Sequence, residues 1–260
     1  MTNYTDIATL LQKEITKKEL QTIFQAECQH IANQQYASSL QTMFNYALTN
    51  NPSLFVKLPV AKCDTNNEQA KYYLKQWVNR YLQARDNLAI NRPLKVNGDL
   101  DPAVIQIVSA ITNIDTKELN KYLLSHFLYK SIEDINGEIL ENYLTTILEP
   151  LGWYWCAGTI YRAVDFCYLT NDKVILLQIK NKYNTENSSS AAIRNGTKIV
   201  KWCRLTKSSQ NAGLKTPIAN WQALQEIVQN EKANAKLQEN QYLAYIDQYA
   251  TKQYTQLAGV

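Results

Sequence analysis

Histidine is nearly missing from this chain: His30 and His126 are the only two in 260 residues. Cysteine is scattered, at Cys28, Cys63, Cys156, Cys167 and Cys203, with no CxxC pair. Nothing in that spacing supports a zinc site of the ordinary kind, and an odd, dispersed set gives no support to a disulfide framework. The expectation is of buried free thiols in a reducing cytoplasm. No Ser-His-Asp or Cys-His arrangement is evident, and neither a P-loop nor a GxGxxG occurs, so nothing supports a triad hydrolase or a phosphate-loop nucleotide enzyme. No apolar run approaches the ~20 residues that cross a bilayer. The opening Met1-Thr-Asn-Tyr-Thr-Asp6 lacks the basic-then-apolar layout of a signal peptide. The reading is of a soluble, cytoplasmic protein. Charge is also sparse, at 19% of residues, with a net of +4. By itself that is only a mild lean toward a nucleic-acid partner.

What remains is a folded, Asn-, Gln- and Tyr-rich chain whose 45% hydrophobic content suffices for one large domain or two small ones. Residues 6–48 carry apolar positions at helical spacing (Ile7, Leu10, Leu11, Ile15, Leu20, Ile23, Phe24) and read as helix up to Pro52. A second amphipathic stretch over 67–84 places Tyr72, Tyr73, Trp77 and Tyr81 in a core. The polar segment 88–101 reads as a loop, and Asp101-Pro102 is a helix start. Helices follow over 104–112 and 115–130, and another begins after Gly137, over 138–148. Strands are expected at Trp153–Cys156, Tyr161–Leu169 and Lys173–Lys180, which are dense in β-branched and aromatic residues. A helix is expected from the Ser188–Ser190 cap to Trp202, and more helix from 219 to 249. This order predicts an α/β (α+β) fold: a mixed sheet flanked by helices, with a large helical N-terminal addition over 1–130 and the chemistry in 131–260. The two parts are compatible with one compact domain.

The hairpin at 164–180 gathers the reactive groups. Alternation puts Gln178 and Lys180 on one side of their strand, projecting an amide and an ammonium from the end of an apolar run. If the turn is Asn171-Asp172, a pair suited to tight hairpins, Thr170 faces Lys173 and counting outward sets Asp165 opposite Gln178. A three-residue loop would shift the partner to Leu177. Either register gathers carboxylate, amide and ammonium. Such a cluster suits phosphodiester hydrolysis, because oxygen ligands hold Mg²⁺ and a lysine can orient the attacking water. The same residue types also suit a surface hairpin with an ordinary acid and lysine.

Asp165, twelve intervening residues and Gln178-x-Lys180 resemble the PD-(D/E)XK nuclease motif in its Q-x-K form. Val164 stands where the family has proline, and Gln178 where it usually has an acid, which removes a negative charge from the metal site. The resemblance implies a catalytic set of Asp165, Gln178, Lys180 and Glu141. Asp165, Gln178, the Ile179 carbonyl and Glu141 would be Mg²⁺ ligands. Glu141 follows from Gly137-Glu-Ile-Leu-Glu141, which is similar to the family's G-x-x-x-E, with Glu138 as the alternative.

The following stretch, 181–198, is rich in serine and asparagine and leads into Ile193-Arg-Asn-Gly-Thr197. It resembles Type II restriction endonucleases, specifically the SinI-like group that reads GGWCC-type sites. That resemblance implies double-stranded DNA as partner, a homodimer on a palindromic site and a cognate DNA methyltransferase in the same system. Between Asn171 and Lys215 nine basic residues face two acidic ones, a local net of +7, as a phosphate-tracking surface requires. The candidate DNA-contacting residues are Lys182, Asn187, Ser188, Ser189, Ser190, Arg194, Asn195, Lys198 and Lys201. Arg194, Lys198 and Lys201 would share one helix face, and Arg194 is the best base reader because its fork matches guanine. Two other readings stay open: a structure-specific repair nuclease of the same fold, and a catalytically inactive DNA-binding module, which Gln178 keeps alive.

Overall fold

The computed structural model describes residues 3–61, 63–92, 101–183, 197–207 and 217–257. The expected helical run over 6–48 is three helices: α1 (Ile7–Gln12), α2 (Lys17–Cys28) and α3 (Gln34–Asn50). The first break falls at Glu14, in the left-handed region at φ 67°. Thr16 then restarts the chain with a capping box: its hydroxyl accepts from Glu19 N–H while the Glu19 carboxylate accepts from Thr16 N–H. Asn33 caps α3 by accepting from Gln35 and Tyr36 N–H. The reason the apolar spacing misled is that it continues across both breaks, while the capping side chains set the ends.

The second amphipathic stretch is α4 (Asn66–Asp86), opened by a Thr65/Glu68 capping box. Its Tyr73, Trp77 and Tyr81 are fully buried, as expected, but Tyr72 is exposed at 43%, one step off the buried stripe. Asp101 caps α5 (Pro102–Thr112), and Asp115 caps α6 (Thr116–Leu148). The expectation that a helix starts after Gly137 is corrected here. α6 runs unbroken for 33 residues through that glycine, where an added Cβ would meet nothing within 4 Å. An isolated glycine costs a helix only about 1 kcal/mol, which does not stop one held by packing. Three helices follow near the C-terminus: α7 (Trp221–Val228), α8 (Glu231–Asn234) and α9 (Glu239–Leu257).

A small antiparallel pair, β1 (Asn3–Thr5) with β2 (Leu58–Val60), joins the first residues to the chain before α4. The main sheet has five strands in sequential order: β3 (Trp153–Trp155), β4 (Phe166–Leu169), β5 (Val174–Lys182), β6 (Ile199–Thr206) and β7 (Ile218–Ala219). β5 and β6 are parallel and the other neighbours antiparallel, so the sheet is mixed. The parallel pair obliges the chain to cross over between residues 182 and 199. That segment, 184–196, lies outside the described residues, and so does most of the expected helix. Its C-terminal end is corrected: 199–202 is strand, not helix. Ile199 and Trp202 are buried and the run is β-branched and aromatic, and Trp202 packs on Trp221 with ring centroids 5.2 Å apart.

One continuous apolar core runs from α1–α4 through α6 to both faces of the sheet. Phe24 stacks on Phe44 at 4.0 Å, and Trp77 meets Phe55 edge-on at 5.5 Å. Buried Arg85 on α4 pairs with Glu149, donates to the Tyr81 hydroxyl at 2.8 Å and lies 4.9 Å from the Trp155 ring. The five cysteines are free, with Cys156 and Cys167 buried and the other three half-buried. No helix among the described residues is long and apolar enough to cross a membrane.

Candidate active site

The connection from β3 to β4 is clamped by the N-terminal helices. Trp77 Nε1 donates to the Ile160 carbonyl at 2.9 Å, Arg162 N–H to Leu54 at 2.7 Å, and the Tyr161 hydroxyl to Met43. Gly158, at φ +72°, lets α4 come close: a Cβ there would stand 2.4 Å from the Arg80 carbonyl oxygen. Arg80 Nε returns a hydrogen bond to the Gly158 carbonyl at 3.1 Å. Gly158→Ala is expected to lower stability by about 2–4 kcal/mol, since it adds left-handed strain to a backbone overlap. Urea unfolding checks this, and an unchanged midpoint would mean the contact relaxes freely.

The β4–β5 turn is the two-residue form. Thr170 N–H donates to the Lys173 carbonyl at 3.0 Å, and the ladder continues to Phe166 opposite Leu177. Asp165 then departs from simple counting. Its N–H also bonds the Leu177 carbonyl, at 2.8 Å, so Asp165 and Phe166 both oppose Leu177: a β-bulge, a device that re-aims a side chain. The expected pairing with Gln178 is thereby corrected. The Asp165 carboxylate instead accepts from the Ile179 N–H, Oδ2 to N 2.6 Å.

Glu141, from α6, meets Asp165 in one cleft of about 570 Å³, which is also lined by Arg80, Arg92, Glu138, Asn142 and Trp155. Trp155 Nε1 donates to Glu141 Oε2 at 2.9 Å. Burial raises the Asp165 carboxyl to about 6, against the opposing pull of the Ile179 N–H and the Lys180 charge. Burial also lifts Glu141 well above the carboxylate range, and the Asp165 charge adds to it while Trp155 and Lys180 oppose it. Two buried acids side by side leave a deficit of positive charge, which is what a divalent cation supplies. Glu138, the alternative ligand, lines the same cleft but is ion-paired with Arg92.

Lys180 is half-buried on β5 opposite Cys203, and Gln178 is 2% exposed opposite Lys201. Neither lines the cleft, though the Lys180 charge reaches both carboxylates. Gln178 Oε1 is buried with no hydrogen-bond partner among the described residues, an orphaned neutral oxygen beside the strand residue that holds Asp165. Among the described residues no group of three or more His, Cys, Asp or Glu is placed to hold a metal. Two carboxylates in one cleft are hard donors of the kind Mg²⁺ takes, so Asp165 and Glu141 fit that ion, while the unpartnered Gln178 oxygen lies outside the cleft lining.

The basic segment is partly spent on structure. Lys182 pairs with Glu133 at 2.6 Å, and buried Arg204 with Glu239. Lys198 is exposed, and Lys201 lies 6.0 Å from the Tyr183 ring centre. The helical spacing expected to align these two lysines is replaced by strand geometry at Lys201. Asn187, Ser188, Ser189, Ser190, Arg194 and Asn195 lie outside the described residues. Sequence reasoning missed Arg80, Arg92, Asn142 and Trp155 as cleft residues. Only the buried, aromatic character of Trp155 left a trace, and it pointed to packing.

A mixed sheet flanked by helices, with two acids and a strand lysine at one end, defines a restriction-endonuclease-like α/β fold. The chain belongs to the SinI restriction endonuclease family, whose model matches residues 21–252. It is 39% identical over 154 residues to the Type II restriction enzyme SinI of Salmonella infantis, covering 58% of this chain and 62% of that protein. It is 40% identical over 152 residues to the Type II restriction enzyme Eco47I of Escherichia coli, covering 57% and 61%. The matched stretch thus spans about three-fifths of each relative.

Proposed function

We propose that this chain is a Type II restriction endonuclease: a Mg²⁺-dependent enzyme that hydrolyses double-stranded DNA at a short palindromic site, leaving 5′-phosphate and 3′-hydroxyl ends. The observation that carries the reading is the family match across 21–252, which includes Glu141, Asp165, Gln178 and Lys180. Asp165 and Glu141 would hold Mg²⁺, with Gln178 Oε1 and the Ile179 carbonyl as neutral donors. The ion, when bound, polarises the phosphoryl oxygen and makes a bound water more acidic. The chain's own groups do the rest. The Ile179 and Trp155 N–H groups each fix one oxygen of their carboxylate, leaving the other available. Lys180 orients the attacking water and balances charge as the water oxygen bonds phosphorus and the bond to O3′ breaks. Arg80 supplies a cation from the cleft wall.

A homodimer follows from a two-fold symmetric site, and a cognate methyltransferase and a cytoplasmic setting belong to the same reading. Incubating plasmid with protein and Mg²⁺ tests it: discrete fragments are expected. A smear or branch-specific cutting would point to a structure-specific nuclease. An absence of cutting would favour a DNA-binding module, a reading that the missing third acid supports. Gln178→Glu is expected to lower the Mg²⁺ concentration for half-maximal cleavage by roughly 10-fold, since it restores a ligand charge. Loss of activity in that variant would show that the amide has a different task.

A further inference from the structure

Helix α5 is built to pack against something, and nothing in the described chain covers its outer side. Its eleven residues, PAVIQIVSAIT, contain no charge, yet none is buried. Val104, Ile107, Val108 and Ile111 recur at i, i+3, i+4 and i+7, one stripe of the helix, and are exposed at 51%, 56%, 37% and 78%. The stripe is continuous with α6: Val104 and Val108 line an apolar groove of about 220 Å³ together with Tyr122 and Leu119. Exposed Tyr122, Tyr129 and Ile132 extend it along α6. From these exposures the patch presents on the order of 700 Å² of apolar surface, more than monomers usually leave open.

We propose that this stripe is the face through which two copies of the chain pair, α5 against α5 across a two-fold axis. Two such patches would bury about 1,400 Å², inside the ~1,200–2,000 Å² range of stable complexes. A self-complementary contact brings each residue near its own copy, so any charge close to the axis would face its like; α5 has none to repel. The same neutrality disqualifies the stripe as a DNA surface, which needs cations. Eleven residues are too few to span a bilayer. The occupant's two-fold symmetry rests on the nuclease reading, while the patch itself does not. α6 also carries Glu141 into the cleft, so pairing at its N-terminal half would fix the spacing of two active sites.

Sedimentation of the full-length protein tests this directly. The wild type is expected at twice the chain mass. Ile107→Glu, at the centre of an exposed stripe, is expected to raise the dimer dissociation constant at least ~30-fold with an unchanged helical circular-dichroism spectrum, its melting temperature falling only by what the lost pairing contributes. Mixing Ile107→Glu with Ile107→Lys is expected to restore the dimer. A monomeric wild type overturns the inference, and so does an Ile107→Glu protein as dimeric as its parent. A monomeric wild type whose melting temperature falls on substitution would mean that the chain covers the stripe itself, and one that floats with phosphatidylcholine vesicles would mean a lipid partner; both overturn it. A dimer that cuts no DNA sinks the nuclease reading and leaves this inference standing, and a wild type that cuts as a monomer sinks this inference and the homodimer while the nuclease activity stands.

Discussion

Asp165→Ala and Lys180→Ala are each expected to lower the rate of DNA cleavage at least ~10³-fold while leaving the protein folded and able to bind DNA. Asp165 stands at a bulge, with one carboxylate oxygen on the Ile179 N–H and the other free to meet a ligand. Alanine removes the cleft acid that is anchored on β5, and Gln178 already stands where the motif usually has another acid. Lys180 acts differently, because its charge reaches both carboxylates and pulls each downward. Without it the acids are harder to ionise and the attacking water loses its cation. The measurement pairs single-turnover cleavage with a gel shift in Ca²⁺. Cleavage at wild-type rate in either variant would remove that residue from the site. Loss of binding together with cleavage would assign it to DNA contact instead.

The hairpin that carries these residues was legible in the sequence because two periodicities agreed. Alternation from Lys173 to Lys180 set the strand, and Asn171-Asp172 set a turn that the Thr170–Lys173 hydrogen bond bears out. The bulge at Asp165 was not legible, since no glycine or proline marks it. It arises because the carboxylate takes the Ile179 N–H that a regular ladder would have spent on backbone. β6 was misread for a different reason: Lys201 falls at helical spacing from Arg194 and Lys198, but tertiary pairing with β5 and the burial of Trp202 outweigh that pattern. The N-terminal half gave no hint of its part in the site. Its contribution is made by backbone clamps on 160–162 and by Arg80 across Gly158, contacts between residues 78 to 118 positions apart. Local pattern cannot report such contacts.

Asp165→Asn is expected to stabilise the metal-free protein at pH 8 by on the order of 2 kcal/mol, an effect that vanishes near pH 4. The folded-state value of about 6 lies above the ordinary carboxylate value near 3.9. A group raised in this way favours the folded state fully below its unfolded value and loses that contribution as pH rises through 6. Above 6 the native protein holds a buried anion facing Glu141, which burial and the Asp165 charge push in the same direction. Asparagine keeps the shape and can still accept from the Ile179 N–H, but it carries no charge. Urea midpoints of both proteins in EDTA, taken from pH 4 to pH 8, isolate the residue as a difference between the curves. Adding Ca²⁺ at pH 8 is expected to raise the wild-type midpoint and to leave Asp165→Asn almost unmoved, because the cation then neutralises the charge that the substitution has already removed. A difference that stays flat across this range would show that Asp165 is well solvated. An equal Ca²⁺ response in both proteins would place the cation elsewhere than between Asp165 and Glu141.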